Sequence, residues 1–361
     1  MPLQTIITDQ ADLAQLTQRL ARAPALGLDT EFLRERTYRA ELCLLQLADE
    51  HEAVCIDPLA LARLDALVPL LVGGGPLKVM HASRQDLEVL QPIGGVVQPV
   101  FDTQIAAALT GLPAQIGYGE LVRRVLGREL SKAHTRTDWT RRPLSPEQLS
   151  YALDDVRYLL PLRAALVAQL ESLGRGAWLQ EELARLGDPG TVATDPLQAW
   201  QRVKGLRGLD PDRERFARAL AAWRERRAIE RNRPRGWILD DAVVREIVVR
   251  PPRTLDELAA IPEMPASVVK HCGAEILETV RAAALPTALP ALGRARPDPL
   301  RSALVKKLSA LHQAIATELA LSPEVLATRR DLELLASGER DVPMLRGWRR
   351  TVIGERLLAA L

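Results

Sequence analysis

Ala25-Leu26-Gly27-Leu28-Asp29-Thr30-Glu31-Phe32 decides how this chain is read. The apolar run is the length of a buried strand and ends on two carboxylates spaced i, i+2. Side chains at that spacing share one face of a strand, roughly 6.5 Å apart along it. Like charges on one face repel, and burying them costs free energy unless a cation neutralises them. A lone Asp-x-Glu is more often an ordinary polar strand end, so the rest of the chain must supply further ligands.

Two more apolar runs follow closely, Leu42-Cys43-Leu44-Leu45-Gln46-Leu47 and Ala53-Val54-Cys55-Ile56, and short connections predict antiparallel pairing. The pattern then predicts a helix over 60–71, stopped by Gly73-Gly74-Gly75-Pro76, and a strand over 77–80. A helix opening near Ser83, a short strand near Val100-Phe101 and a helical stretch from Pro146 to Ser172 follow. Three meandering strands followed by β-α-β units predict an α/β domain with a mixed sheet over residues 1–195. Beyond Asp188-Pro189-Gly190 the strand signals stop. Helical patterns and a second Pro-rich linker (Pro286, Pro290, Arg294–Pro299) predict two small all-α modules, 196–290 and 291–361.

Composition sets outer limits. The 361 residues are 47% hydrophobic and 26% charged, which excludes a wholly disordered chain. Three scattered cysteines exclude a disulfide framework or a zinc site and point to a reducing compartment. The N-terminus lacks the basic flank and apolar core of a signal peptide, and no apolar run reaches the ~18 residues of a membrane span. The expected location is the cytoplasm, with no membrane association and no protein partner. The net charge of +2 hides an asymmetry: residues 1–195 carry −6 and residues 196–361 carry +8. A basic half of this kind suggests a polyanionic partner.

Other acids join Asp29 and Glu31. In Tyr151-Ala152-Leu153-Asp154-Asp155, Tyr151 and Asp155 share a helix face at i, i+4, although helical spacing leaves Asp154 as a rival. Asp86 falls in the first turn of a helix, where an acid also complements the helix dipole. Asp102 precedes a helix and reads as a cap. Oxygen ligands without a Cys/His cluster favour Mg²⁺ or Mn²⁺, and two such ions about 3.5–4 Å apart suit phosphodiester hydrolysis. A tyrosine hydroxyl in the same site is placed to orient water.

The segments 28–32, His81-Ala82-Ser83-Arg84-Gln85-Asp86-Leu87-Glu88 and Tyr151–Val156 resemble, in order, the three motifs of the DEDD exonucleases. The tyrosine four residues before the last aspartate is similar to the DEDDy branch. Arg34-Glu35-Arg36-Thr37-Tyr38 and Ser131–Trp139, followed by Arg142-Pro143-Leu144, resemble the ribonuclease D family within it. Trp223–Ala228, Asn232-Arg233-Pro234 and Trp237–Asp241 are similar to the HRDC domains that follow the exonuclease in that family. A second such module, ending in Gly347-Trp348-Arg349-Arg350, matches less closely.

The resemblance implies a ribonuclease H-like exonuclease fold and a monomeric 3′→5′ exoribonuclease that releases nucleoside 5′-monophosphates from tRNA precursors and other structured RNAs. It also implies that Asp29, Glu31, Asp86 and Asp155 hold two divalent cations and that Tyr151 orients the attacking water, which settles the rivalry for Asp155 over Asp154. Phe32, Lys132, Arg136, Arg224, Arg226, Arg227, Arg231 and Arg233 are the candidate RNA contacts. His81 has no assigned role. Two other readings stand beside this one: a DNA exonuclease of the same superfamily, separable only by 2′-hydroxyl contacts, and a silent RNA-binding adaptor, which the complete set of acids argues against. Because all five motif residues precede residue 196, the front part is expected to fold without residues 196–361.

Overall fold

The computed structural model describes residues 6–130, 137–186, 195–206, 209–283 and 298–361. Its sheet is built from β1 (Ile6–Ile7), β2 (Ala25–Leu33), β3 (Glu41–Ala48), β4 (Ala53–Ile56), β5 (Leu77–Met80) and β6 (Val100–Asp102), in the order β1-β4-β3-β2-β5-β6. β3 and β4 run antiparallel, with Leu45 opposite Ile56 and Leu47 opposite Val54. The pairs β1–β4, β2–β5 and β5–β6 are parallel. The mixed sheet expected from the sequence is therefore present, and β2, which carries Asp29 and Glu31, lies inside it.

Strand periodicity sends β2 residues to two different layers. Leu26 and Leu28 join Leu13, Leu16 and Leu20 of the helix Gln10–Leu20 and Leu87 and Leu90 of the helix Arg84–Gly94. On the opposite face, Val79 and Phe101 pack with Val156, Leu159 and Leu162 from the helices Pro146–Arg157 and Leu159–Ser172. Gly27 permits that second layer its close approach: a Cβ there would stand 2.8 Å from the Val156 carbonyl oxygen. The helix Pro146–Arg157 starts where its sequence dictates, with Pro146 in the first turn and a reciprocal Ser145–Gln148 capping box.

The helix expected over 60–71 is shortened to a 3₁₀ turn, Asp65–Leu67, and the single turn Val68–Leu71. Asp57 holds the preceding segment in a turn, its carboxylate accepting from the Leu59 N–H at 3.0 Å and its carbonyl from the Ala60 N–H at 3.2 Å. The side-chain amide of Gln10 also binds the Arg63 carbonyl. Local polar bonds of this kind compete directly with helix formation.

The chain separates into two compact units, and their boundaries differ from the three-part division expected. One comprises Met1–Leu33, Leu42–Val192 and Pro297–Leu361, and the other Arg34–Glu41 and Ala193–Arg296. In the first, Leu308, Ile315, Leu332, Leu335, Trp348 and Ile353 share one core with the exonuclease helices. Polar bonds fix the join: the Arg175 guanidinium donates to the Leu109 and Leu319 carbonyls at 2.7 and 2.5 Å. Trp348 stacks on Trp178 at 4.5 Å and donates its indole N–H to Glu182. Trp178 and Leu179, which the expected division assigns to residues 1–195, share this core with residues of 298–361. The second unit packs the helices Pro211–Arg231, Asp241–Val249 and Ala266–Ala282 around Phe216, Leu220, Val244 and Ile276. Among the described residues no helix is long and apolar enough to cross a membrane.

Candidate active site

Asp29, Glu31 and Asp155 converge. One carboxylate oxygen from each lies within 4.8 Å of those of the other two. Two come from the same face of β2, and the third from the helix that Gly27 allows against that strand. Asp154, one residue earlier, instead turns to Arg157 at 2.6 Å. The geometry by itself therefore selects Asp155.

Burial raises the proton affinity of all three carboxyls. For Asp29 the desolvation is reinforced by the charges of Asp86, Asp155 and Glu31 and opposed by a Thr30 backbone hydrogen bond. Glu31 is pushed up to about 8, again by burial first and then by Asp155 and Asp86. Asp155 is raised by burial and the neighbouring Asp154 charge, while a hydrogen bond from Tyr151 works against the shift. Carboxylates this close in a low-dielectric setting cannot all ionise unless positive charge joins them. An all-oxygen donor set without thiol or imidazole matches a hard divalent cation. These three residues form a site fit for one.

Asp86 lies outside that triad but within reach of its field, since its charge acts on both Asp29 and Glu31. Its carboxylate accepts a 2.5 Å hydrogen bond from the Thr30 hydroxyl. Thr30 points to the face of β2 opposite Asp29 and Glu31, so Asp86 is aimed from the other helical layer.

Tyr151 is held by Trp139, whose ring stacks on it at 6.3 Å and 28°. Trp139 is itself buried among Cys43, Leu44, Ala152 and Leu153. Next to it, Arg142 donates to Asp57 at 2.6 and 2.7 Å and to the carbonyls of Cys43 and Trp139, which ties residues 137–145 to the sheet. Burial, then the charges of Asp155, Glu31 and Asp29, raise the Tyr151 hydroxyl above its ordinary value. It stays protonated at neutral pH and serves as a hydrogen-bonding group.

Other sequence assignments resolve plainly. Asp102 is the expected cap, accepting from the Gln104 and Ile105 N–H groups and from Ser83. His81 is structural: its ring nitrogens meet the Thr103 hydroxyl at 2.9 Å and the Ile116 carbonyl at 3.0 Å. Lys132 and Arg136 lie outside the described residues, and Phe32 is half-buried at the end of β2. Arg224 is a correction. Only 2% exposed, it donates to the Leu239 carbonyl and Asp241, so it supports the fold and is withdrawn from RNA. Arg227 pairs with Glu230 and Glu275, whereas Arg226, Arg231 and Arg233 are exposed.

Thr30, Trp139 and Trp237 were missed by sequence reasoning. Trp139 and Trp237 stood in quoted motifs but carried no local sign of their partners. Trp237 is 57% exposed with the Arg233 guanidinium 5.6 Å from its ring centre.

Residues 4–171 match the family described as 3′-5′ exonuclease, and residues 213–280 match the HRDC domain. Ribonuclease D of Nitrobacter hamburgensis is 40% identical over 98% of this chain and 94% of its own length. That of Granulibacter bethesdensis is 42% identical over 99% and 92%. The chain belongs to the ribonuclease D family. The crystal structure of Escherichia coli RNase D, an exoribonuclease involved in structured RNA processing, superposes with a TM-score of 0.85 at 30% identity, covering 99% of this chain and 98% of that one. Ribonuclease D architecture accounts for the α/β exonuclease part and the helical HRDC region after it, and the chain is a metal-dependent 3′→5′ exoribonuclease.

Proposed function

We propose that this protein trims the 3′ ends of structured RNAs, tRNA precursors among them, releasing nucleoside 5′-monophosphates. The observation that carries the reading is the convergence of Asp29, Glu31 and Asp155 in a chain 40% identical to a ribonuclease D along nearly its whole length. In this proposal Asp29, Glu31 and Asp155 hold one Mg²⁺ or Mn²⁺, and Asp29 shares a second with Asp86. Bound there, such cations neutralise the scissile phosphate and lower the pKa of water.

The chain's own residues do the rest. The sheet fixes Asp29 and Glu31, and the capped helix Pro146–Arg157 fixes Asp155 and Tyr151 on one face. Tyr151, protonated and braced by Trp139, presents its hydroxyl to orient the attacking water beside Asp155. Exposed Arg226, Arg231 and Arg233 offer phosphate contacts that hold RNA without reading its sequence. Trp237 adds a face for base stacking.

The test incubates purified protein with 3′-labelled RNA or matched DNA in Mg²⁺, Mn²⁺ or EDTA. Mononucleotide release from RNA alone, abolished by EDTA, is the expected result. Equal degradation of DNA would overturn the substrate assignment, and turnover in EDTA would overturn the metal assignment.

A further inference from the structure

The catalytic strand β2 ends at Leu33, two residues beyond Glu31, and the chain returns to the sheet at Glu41. The connection between them, Arg34–Glu41, belongs to the compact helical unit. Tyr38 packs against the core of that unit, and its hydroxyl donates to the Glu225 carboxylate. Glu225 is fully buried, and Arg235 grips it with two hydrogen bonds of 2.5 and 2.7 Å while lying 5.0 Å from the Tyr38 ring centre. One residue on, the Arg39 N–H donates to the side-chain oxygen of Asn232 at 3.0 Å. Asn232 ends the helix Pro211–Arg231 in the left-handed conformation, with φ of 46°.

This clasp is specific. A buried carboxylate needs every partner it has, and losing one is costly. The segment 225–235 therefore has two roles by position: Glu225, Asn232 and Arg235 hold residues 38–39, while Arg226, Arg231 and Arg233 are exposed. We propose that the Tyr38–Glu225–Arg235 clasp, with Asn232, is a positioning device that keeps the exit of the catalytic strand ordered for the RNA 3′ end. Tyr38, Glu225, Asn232 and Arg235 are positioning residues that act through Phe32–Arg36. The inference rests on the functional reading above, in that Asp29 and Glu31 mark the reacting end of the substrate. A preordered segment spares the substrate the cost of ordering it, so its release raises KM and leaves kcat nearly unchanged.

Two mild variants of the full chain test this. Tyr38→Phe removes one hydroxyl and keeps the ring, and Asn232→Gly removes the acceptor for Arg39 while tolerating the positive φ. Arg34, Arg36 and Arg39 supply a built-in reporter, because trypsin cuts after them once the segment is released. Expected for each variant are faster trypsin cleavage within 34–39, a roughly five- to tenfold rise in KM for a 3′-single-stranded RNA, kcat within twofold, and unchanged Mn²⁺ affinity. Faster cleavage with unchanged KM overturns the inference and leaves the functional reading intact. Unchanged cleavage overturns the clasp itself. A fall in kcat with weakened Mn²⁺ binding also overturns it, since the contacts would then be holding the metal ligands. Absence of RNA degradation by the wild-type protein would instead sink the functional reading, with the protease arm still reporting on the clasp.

Discussion

Trp348→Ala tests whether the C-terminal segment is part of the catalytic unit's core, where the sequence alone suggested a separate module. Trp348 is 7% exposed, stacks on Trp178 at 4.5 Å with an interplanar angle of 11°, and has the Arg349 guanidinium 4.5 Å from its ring centre. Its indole N–H donates to Glu182 at 2.8 Å, and its backbone N–H donates to Glu181 at 2.8 Å. Truncating a buried tryptophan costs about 3–5 kcal/mol, part of it the stacking term. Losing the indole N–H does not orphan Glu182, which still pairs with Arg349 and Arg185. About 4 kcal/mol is therefore the expected loss, a large share of the ~5–15 kcal/mol that holds a domain together. For a unit of about 150–250 residues each kcal/mol moves Tm by about 2–4 °C, so the shift should be about 8–16 °C. Trp348→Phe keeps a ring on Trp178 and should shift Tm much less.

The assay is loss of exonuclease activity after brief heating across a temperature series, alongside a calorimetric melt. If the shared core is real, activity is lost at the lowered temperature, while kcat measured at 20 °C stays within twofold of wild type. A low-temperature transition that leaves the heat resistance of the activity unchanged would refute the reasoning, because residues 298–361 would then melt apart from the catalytic fold.

Asp29→Asn and Asp155→Asn each should remove nearly all hydrolysis while RNA binding, measured by filter retention, largely survives; near-normal turnover in either would expel that carboxylate from the site. Tyr151→Phe should lower kcat by about 10²–10⁴-fold with Mn²⁺ affinity unchanged in calorimetry, and a collapse of that affinity would make Tyr151 a ligand-orienting residue instead. Because burial raises the triad's carboxyls, with Glu31 near 8, the metal-free triad binds more protons than the same three groups in the unfolded chain between about pH 4 and 8. Its Tm in EDTA should therefore fall as pH rises across that window, and added Mn²⁺ should restore more at pH 8 than at pH 5.5; a Tm in EDTA that rises with pH would refute the assignment.

Much of the site was legible because its chemistry repeats with local geometry. The i, i+2 spacing put Asp29 and Glu31 on one strand face, and the i, i+4 spacing put Tyr151 beside Asp155. Spacing alone left Asp154 and Asp155 equal. The geometry separates them through Arg157, a residue three positions on that binds Asp154 and leaves Asp155 to the strand. Arginine counting failed for a related reason. Arg224 sits among Arg226, Arg227, Arg231 and Arg233 in the sequence, yet helical rotation turns it inward to Leu239 and Asp241. A run of like charges on a helix is spread around its axis, so only part of it can face a phosphate backbone.

The unit boundaries were illegible for a deeper reason. Periodicity and punctuation divide a chain at its linkers, but buried polar groups choose their partners in space. Glu225 lies between Ala221 and Ala228 on a helix that helps build an apolar core. A carboxylate in that position announces that donors must exist, since burial without them is prohibitively unfavourable. One donor, Arg235, is ten residues away and could be guessed. The other is Tyr38, 187 residues earlier in a loop that reads as an ordinary charged strand connection. The same holds for Arg175, whose buried guanidinium takes its acceptors from Leu109 and Leu319. Each such group states a requirement that the local sequence cannot meet. The requirement is met by drawing distant segments into one unit, which is how residues 34–41 come to belong with the helices and residues 298–361 with the sheet.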